Sequence, residues 1–151
     1  TMRARHCNWV RLRDRKSGAE FRVLDIHLDH KSDDARREQM KMIVGECAQY
    51  ADGFPQIICG DFNSGIENAP VACLRDAGWQ EAYEAVHGPG EAGFTYHGFK
   101  GPDYRKKNAR RIDFIFVRGN LQPVAAEILR DKVDGLYPSD HYFLMSDFII
   151  Q

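Results

Sequence analysis

What this sequence lacks narrows it first. No apolar run approaches the ~20 residues that span a bilayer, and no charged-then-apolar leader opens the chain. There is no internal repeat, low-complexity tract or linker, so the 151 residues read as one folding unit. With 43% hydrophobic residues the chain is too apolar to be disordered. Cysteine is sparse: Cys7, Cys47, Cys59 and Cys73 are scattered and form no CxxC pair. Cys47 and Cys59 sit in apolar settings and read as reduced core thiols of a cytosol-like compartment.

A strong charge of one sign is also missing. The net charge of −1 nevertheless hides an asymmetry. Residues 1–37 carry ten Lys/Arg against six Asp/Glu, and residues 100–111 carry six basic residues against one acidic. Residues 60–92 reverse this, with six acidic residues opposed only by Arg75. Such blocks are ordinarily solvated faces. A basic rim around an acidic centre also suits a phosphate-ester hydrolase, which needs cations for the ester and carboxylates for a metal.

The chain is organised around the stretch 57–64 (IICGDFNS). Its apolar run is too short for a helix and is bounded by Pro55 and by Ser64-Gly65, which predicts a buried strand over 56–60. Asp61 and Asn63 then fall at its C-terminal lip, where ligands sit in open α/β sheets. Period-2 geometry sets the two on one side, with Phe62 opposite. Before it, residues 4–13 and 20–28 predict a hairpin turned at 14–18. On the second strand Phe21, Val23, Asp25 and His27 share a face, and Arg22, Leu24, Ile26 and Leu28 the other. A helix is predicted over about 33–51, entered through Ser32-Asp33-Asp34 and stopped by Gly53 and Pro55. Strand, helix and strand make a βαβ unit with parallel pairing.

A short helix follows over 69–76, opened by Pro70. Residues 79–83 suggest a short strand, 87–93 a loop, and 94–99 an edge strand or ordered loop. The clearest strand is 111–117 (RIDFIFV), turned at Gly119-Asn120, with 122–130 pairing back. A last loop, 136–139, presents Asp140 and His141 to a final strand over 142–149.

Four polar points thus stand at strand ends or adjoining loops: His27, Asp61 with Asn63, Asp113, and Asp140 with His141. Each has a plainer explanation alone. His27 suits a half-buried structural histidine, Asp113 an ion pair with Arg110 or Arg111, and Asp140 a turn cap. Together they match metal-assisted hydrolysis. Asp61 and Asp140 supply oxygen ligands for Mg²⁺ or Mn²⁺. Asp61 holds a water that Asn63 steers, and His141, kept charged by Asp113, meets the phosphoryl oxygens.

The ordered set HLDH at 27–30, GDFN at 60–63, RIDFIFV at 111–117 and SDH at 139–141 resembles the endonuclease/exonuclease/phosphatase family. That superfamily includes deoxyribonuclease I, abasic-site endonucleases, sphingomyelinases and inositol-polyphosphate phosphatases. The likeness is nearest to bacterial-type metal-dependent hydrolases with a similar HLDH and a TxHGF, here residues 95–99. It implies a four-layer α/β sandwich of the deoxyribonuclease I type, with mixed sheets face to face and helices outside. It also implies that Asp61 aligns or activates the attacking water and that Asn63 orients water and phosphate. Asp140 becomes a metal ligand beside Asp61 and Asn63. His141 contacts the scissile phosphate, braced by Asp113, and His27 is a second active-site histidine. His30 and His97 match recurring positions of the subgroup.

The departures matter as well. Asp25-Ile26 stands where the family more often has Asn-Thr before the histidine. Family members run to about 250 residues, still within one domain. They begin with strands bearing an Asn and a metal-binding Glu, and neither has a counterpart here. The expectation is therefore that residues 1–151 are the C-terminal portion of a single such domain. One sheet would then show an apolar inner face, to be covered by the missing half, a second copy or another chain. The substrate is a phosphate ester (nucleic acid, lipid or sugar phosphate), and the isolated portion is expected to turn over little. The competing reading is a non-catalytic module on the same fold, holding nucleic acid or another anionic ligand through loop 100–111.

Overall fold

The computed structural model describes residues 4–90, 93–104, 107 and 109–151. Residues 105, 106 and 108 of the basic loop, and 91 and 92 of the loop over 87–93, lie outside the described residues.

The first two strands, β1 (Cys7–Arg13) and β2 (Glu20–His27), form the expected antiparallel hairpin. Its turn is closed by Asp14, whose carboxylate accepts from the backbone N–H of Lys16 and Ser17. Ser32 then caps α1 (Asp33–Cys47) by accepting from the Ala35 N–H at 3.1 Å, and Asp33 and Asp34 occupy the first turn. The helix stops at Cys47, earlier than the spacing predicts. Its last amides tighten to three-residue bonds, Gln49 to Glu46 and Tyr50 to Cys47, so the chain can double back to the sheet. Tyr50 packs on Phe54 there, at 5.0 Å between ring centres.

β3 (Gln56–Asp61) runs parallel to β2, completing the βαβ unit. Next come α2 (Ala69–Asp76), with Pro70 in its first turn, and the two-residue β4 (Gln80–Glu81). The short helix α3 (Ala82–His87) was not legible in the sequence. It is nucleated by the Glu81 carboxylate, which accepts from the Glu84 N–H at 2.8 Å. β5 (Asp113–Arg118) pairs antiparallel with β3 on one side and β4 on the other, giving a mixed sheet in the order β1-β2-β3-β5-β4.

With both edges of β5 taken, the chain after Gly119-Asn120 cannot pair back. β6 (Leu121–Leu129) instead joins β7 (Phe143–Ile150) in a separate two-stranded sheet. This corrects the expectation for 122–130. Residues 94–99 form no strand; they make a loop with one bridge, Tyr96 to His141.

The core lies on one face of the large sheet. Leu24 and Ile26 of β2, Ile58 of β3, and Phe114 and Phe116 of β5 are buried with Phe62 against Met40, Ile43 and Cys47 of α1 and Val71 and Leu74 of α2. Phe62 alone meets Phe114 edge-on at 5.2 Å and Phe116 at 5.7 Å. Burial of such a ring contributes about 1.5–3 kcal/mol. On the opposite face Val23 is half-buried and Asp25 and His27 are exposed, the alternation expected of β2. Val10 and Leu12 on that face, and Phe143, Met145 and Ile149 of β7, are 41–52% exposed.

One polar pair is sealed within the fold. Arg111 and Glu81 have side chains only 2% and 1% exposed and meet through two N···O contacts of 3.2 Å. Arg111 is thus spoken for by Glu81, not Asp113. Its guanidinium also lies over the rings of Phe114 and Tyr83.

Candidate active site

The site is built where β2, β3 and β5 end together. The register pairs His27 with Asp61 across β2–β3 and Asp61 with Asp113 across β3–β5, so three polar side chains from three strands share one lip and one face. Gly60 makes the close approach possible. Its φ is +134°, and a Cβ there would lie 2.0 Å from the Ile26 carbonyl oxygen. The fourth segment is the turn before β7, where the Ser139 hydroxyl accepts from the His141 N–H at 3.1 Å. It carries His141 to Asp113, and the His141 Nδ1–H donates to Asp113 Oδ2 at 2.9 Å.

The resulting cleft, of about 520 Å³, is lined by Asp25, His27, Asp61, Asp113, Asp140 and His141, together with Cys59 and Ile115. Asp61 is the hub. Its Oδ1 accepts from the Asn63 N–H at 2.7 Å, and its Oδ2 lies 3.4 Å from His27 Nε2. Burial raises the Asp61 pKa above the usual carboxylate value, the Asn63 N–H opposes that, and the neighbouring Asp113 charge adds to it. The His141 pKa is raised by its hydrogen bond to Asp113, against the cost of burial. Its imidazolium is thereby favoured, with Nε2 remaining to donate.

Not every expected residue faces the cleft. Asn63 lies beyond the end of β3 at φ +49°, so strand alternation no longer governs it. Its side-chain N–H₂ donates to the Leu28 carbonyl at 3.1 Å, and it is not among the cleft-lining residues. Asn63 acts on the site through the backbone N–H that fixes Asp61. His30 is exposed and bonds Arg5 at 2.7 Å. His97 is fully buried; its Nδ1 accepts from the Gly101 N–H, and its ring stacks at 4.2 Å from Tyr142 and 4.5 Å from Tyr137. Burial lowers its pKa, and it supports the loop beneath Asp140 rather than lining the cleft. Cys59, which reads as a core thiol in the sequence, is half-buried and lines the cleft, and Asp25 is an additional carboxylate lining it. Alternation along β2 already put Asp25 beside His27.

A hard divalent cation fits this donor set. One donor atom each from Asp61, Asp113 and His141 lie within 4.8 Å of one another, and two carboxylates at that spacing repel until a cation joins them. Asp113 is already committed to His141, and the Asp140 side of the turn lines the same cleft.

Comparison with known proteins bears on the fold that carries this cleft. A functionally unknown conserved protein from Enterococcus faecalis V583 superposes with a TM-score of 0.83 at 25% identity, over 96% of this chain and 56% of its own. A mannosyl-6-phosphatase from Bacteroides thetaiotaomicron VPI-5482 gives 0.81 at 22%, over 96% and 57%. The human Nocturnin catalytic domain with bound sulfate gives 0.78 at 22%, over 97% and 53%. This chain therefore spans little more than half the length of the solved proteins it matches. No curated protein matches the sequence significantly. The sequence profile of the Endonuclease/Exonuclease/phosphatase family matches residues 4–141, and the chain, with its mixed α/β fold of the deoxyribonuclease I type, belongs to that family.

Proposed function

We propose that this chain carries the hydrolytic centre of a metal-dependent phosphoesterase. The observation that supports it most is the convergence of His27, Asp61, Asp113 and His141 on one strand-end cleft. Asp61 and Asp140 are the residues that would hold Mg²⁺ or Mn²⁺, with Asn63 fixing Asp61. When bound, the cation polarises the phosphoryl group and offsets its charge.

The chain's own groups account for the proton movements. Asp61, which the Asn63 N–H holds at Oδ1, takes the proton of the attacking water through Oδ2. As the water oxygen bonds to phosphorus and the ester P–O bond breaks, His27, 3.4 Å from Asp61, passes that proton on to the leaving alkoxide oxygen. His141, oriented by Asp113 at Nδ1, donates from Nε2 to a phosphoryl oxygen where negative charge builds. Asp25 and Asp140 give the wall a negative cast that disfavours a bare polyanion until a cation is present.

The substrate class proposed is a phosphate ester. The solved relatives include a protein named as a mannosyl-6-phosphatase and a fish TDP2 complexed with single-strand DNA product, which span sugar phosphate and nucleic acid. The same reading has further polypeptide covering the half-exposed inner face at Val10 and Leu12. The test is turnover of bis-p-nitrophenyl phosphate and plasmid DNA by the whole natural protein, with Asp61→Ala and His141→Ala alongside. Divalent-metal-dependent turnover lost in both variants is expected. A wild-type protein inert with every divalent metal and ester tried sinks the proposal.

A further inference from the structure

The mechanism leaves one sequence motif unused, the loop that begins at Thr95. Thr95 is fully buried although it carries a hydroxyl. That hydroxyl accepts two consecutive amides, Ile112 N–H at 3.1 Å and Asp113 N–H at 3.3 Å. The carbonyl of the same residue accepts from the Tyr142 N–H at 2.8 Å. The next residue, Tyr96, bridges His141 in the backbone, and its ring meets the imidazole edge-on at 5.0 Å. One step further, the His97 and Gly98 amides both donate to the Asp140 carbonyl, at 2.8 and 3.0 Å.

Asp113 and His141 are separated by 28 residues of chain and come from different segments. Thr95 reaches both segments, through its hydroxyl to the Asp113 amide and through its carbonyl to the Tyr142 amide next to His141. We propose that Thr95 is the positioning residue that sets the hydrogen bond between Asp113 and His141, resting on the hydrolytic reading of this site given above. The residue type follows from the geometry. A hydroxyl has two lone pairs, and both are used on adjacent amides. β-branching restricts χ1, so the oxygen is held without loss of rotamer freedom at the site. Valine has the same shape but no acceptor, which leaves two N–H groups at the start of β5 to find other partners. A backbone shift of roughly 0.5 Å at Asp113 would carry the 2.9 Å bond to His141 beyond useful hydrogen-bond range.

Nuclear magnetic resonance of the ¹⁵N-labelled chain tests this without any need for turnover. The His141 Nδ1–H, bonded to a carboxylate, is expected as a low-field, slowly exchanging resonance in the wild type. Thr95→Val is expected to lose it while remaining folded, and Thr95→Ser, which keeps the oxygen, to retain it. An unchanged His141 resonance in folded Thr95→Val overturns the proposal, as does its loss in Thr95→Ser. Should the valine variant not fold, the wild type still decides: Ile112 and Asp113 amides that exchange freely overturn it. In the whole protein, Thr95→Val is expected to lower kcat about 100-fold with KM nearly unchanged, and serine to rescue it. If the wild type shows no turnover but the resonances behave as stated, the hydrolase reading fails and the positioning role stands.

Discussion

Glu81→Gln is the perturbation that most directly tests how this fold is held. The side chains of Glu81 and Arg111 are almost wholly removed from water, and each contact between them is 3.2 Å. Glutamine keeps the volume and an acceptor for the Glu84 amide that starts α3, so packing and cap survive. Only the charge goes. A guanidinium is then left buried between Tyr83 and Phe114 without its anion, a situation that costs about 3–5 kcal/mol when one partner of a sealed pair is removed. For a chain of this size that corresponds to a fall in Tm of roughly 6–20 °C. Equilibrium unfolding in urea, read by circular dichroism, measures it. The companion variant Glu81→Gln with Arg111→Met removes both charges and is expected to recover most of the loss, since apolar replacement of a buried pair is often neutral. A loss below about 1 kcal/mol in the single variant, or no recovery in the double, would refute the reasoning that an uncompensated charge is the cause.

Gly60→Ala should be among the most damaging single changes, by about 3 kcal/mol or more. The new methyl meets the Ile26 backbone at 2.0 Å, and φ is +134°, so β2 and β3 must part. Urea unfolding together with faster amide exchange along β2 checks it. Asp61→Asn should raise metal-free stability at pH 7. Because the folded pKa of Asp61 lies above the ordinary 3.8, the ionised form opposes folding, a cost that vanishes as pH falls below that ordinary value. Wild type, but not the variant, should gain about 2.7 kcal/mol with Mg²⁺ at 100 times its Kd, read by thermal shift. His141 has the opposite pH sense: its folded pKa is above 6.5, so its contribution is complete below pH 6.5 and is lost as pH rises through the folded value. The stability gap between wild type and Asp113→Asn should therefore narrow on going from pH 6 to pH 9, as urea midpoints across that range would show. Among the thiols, Cys7 is exposed and should react first with Ellman's reagent at pH 8, whereas burial pushes Cys47 and Cys59 up to about 11 and should delay them.

The legible part of this protein was whatever rests on local pattern. Alternation placed His27 and Asp25 on one face of β2, and glycine and proline bounded β3, because these signals act within a few residues. The family motifs fixed which strand ends to examine. Asn63 departs from the side that alternation predicts because alternation holds only inside a strand, and the chain turns left-handed just past Asp61. The partner of β6 was illegible for a different reason. Which strand occupies the free edge of β5 depends on β4, whose two residues leave almost no sequence trace. Glu81 likewise carried no sign that it caps α3 and neutralises Arg111, since both roles appear only when distant segments meet.

The hydrogen bond between Asp113 and His141 has a consequence in time. Its two members lie 28 positions apart, and the Thr95 loop that links their segments is itself held by amides on both sides. The β2–α1–β3 unit is local, its strands and helix all lying within residues 20–61, and can begin to form while the rest is still being synthesised. The histidine cannot reach its aspartate until residue 141 has left the ribosome and the Ser139–His141 turn has docked. Formation of the sheet and assembly of this pair are therefore separate events in the life of this molecule: a nascent chain can be largely structured before aspartate and histidine have met.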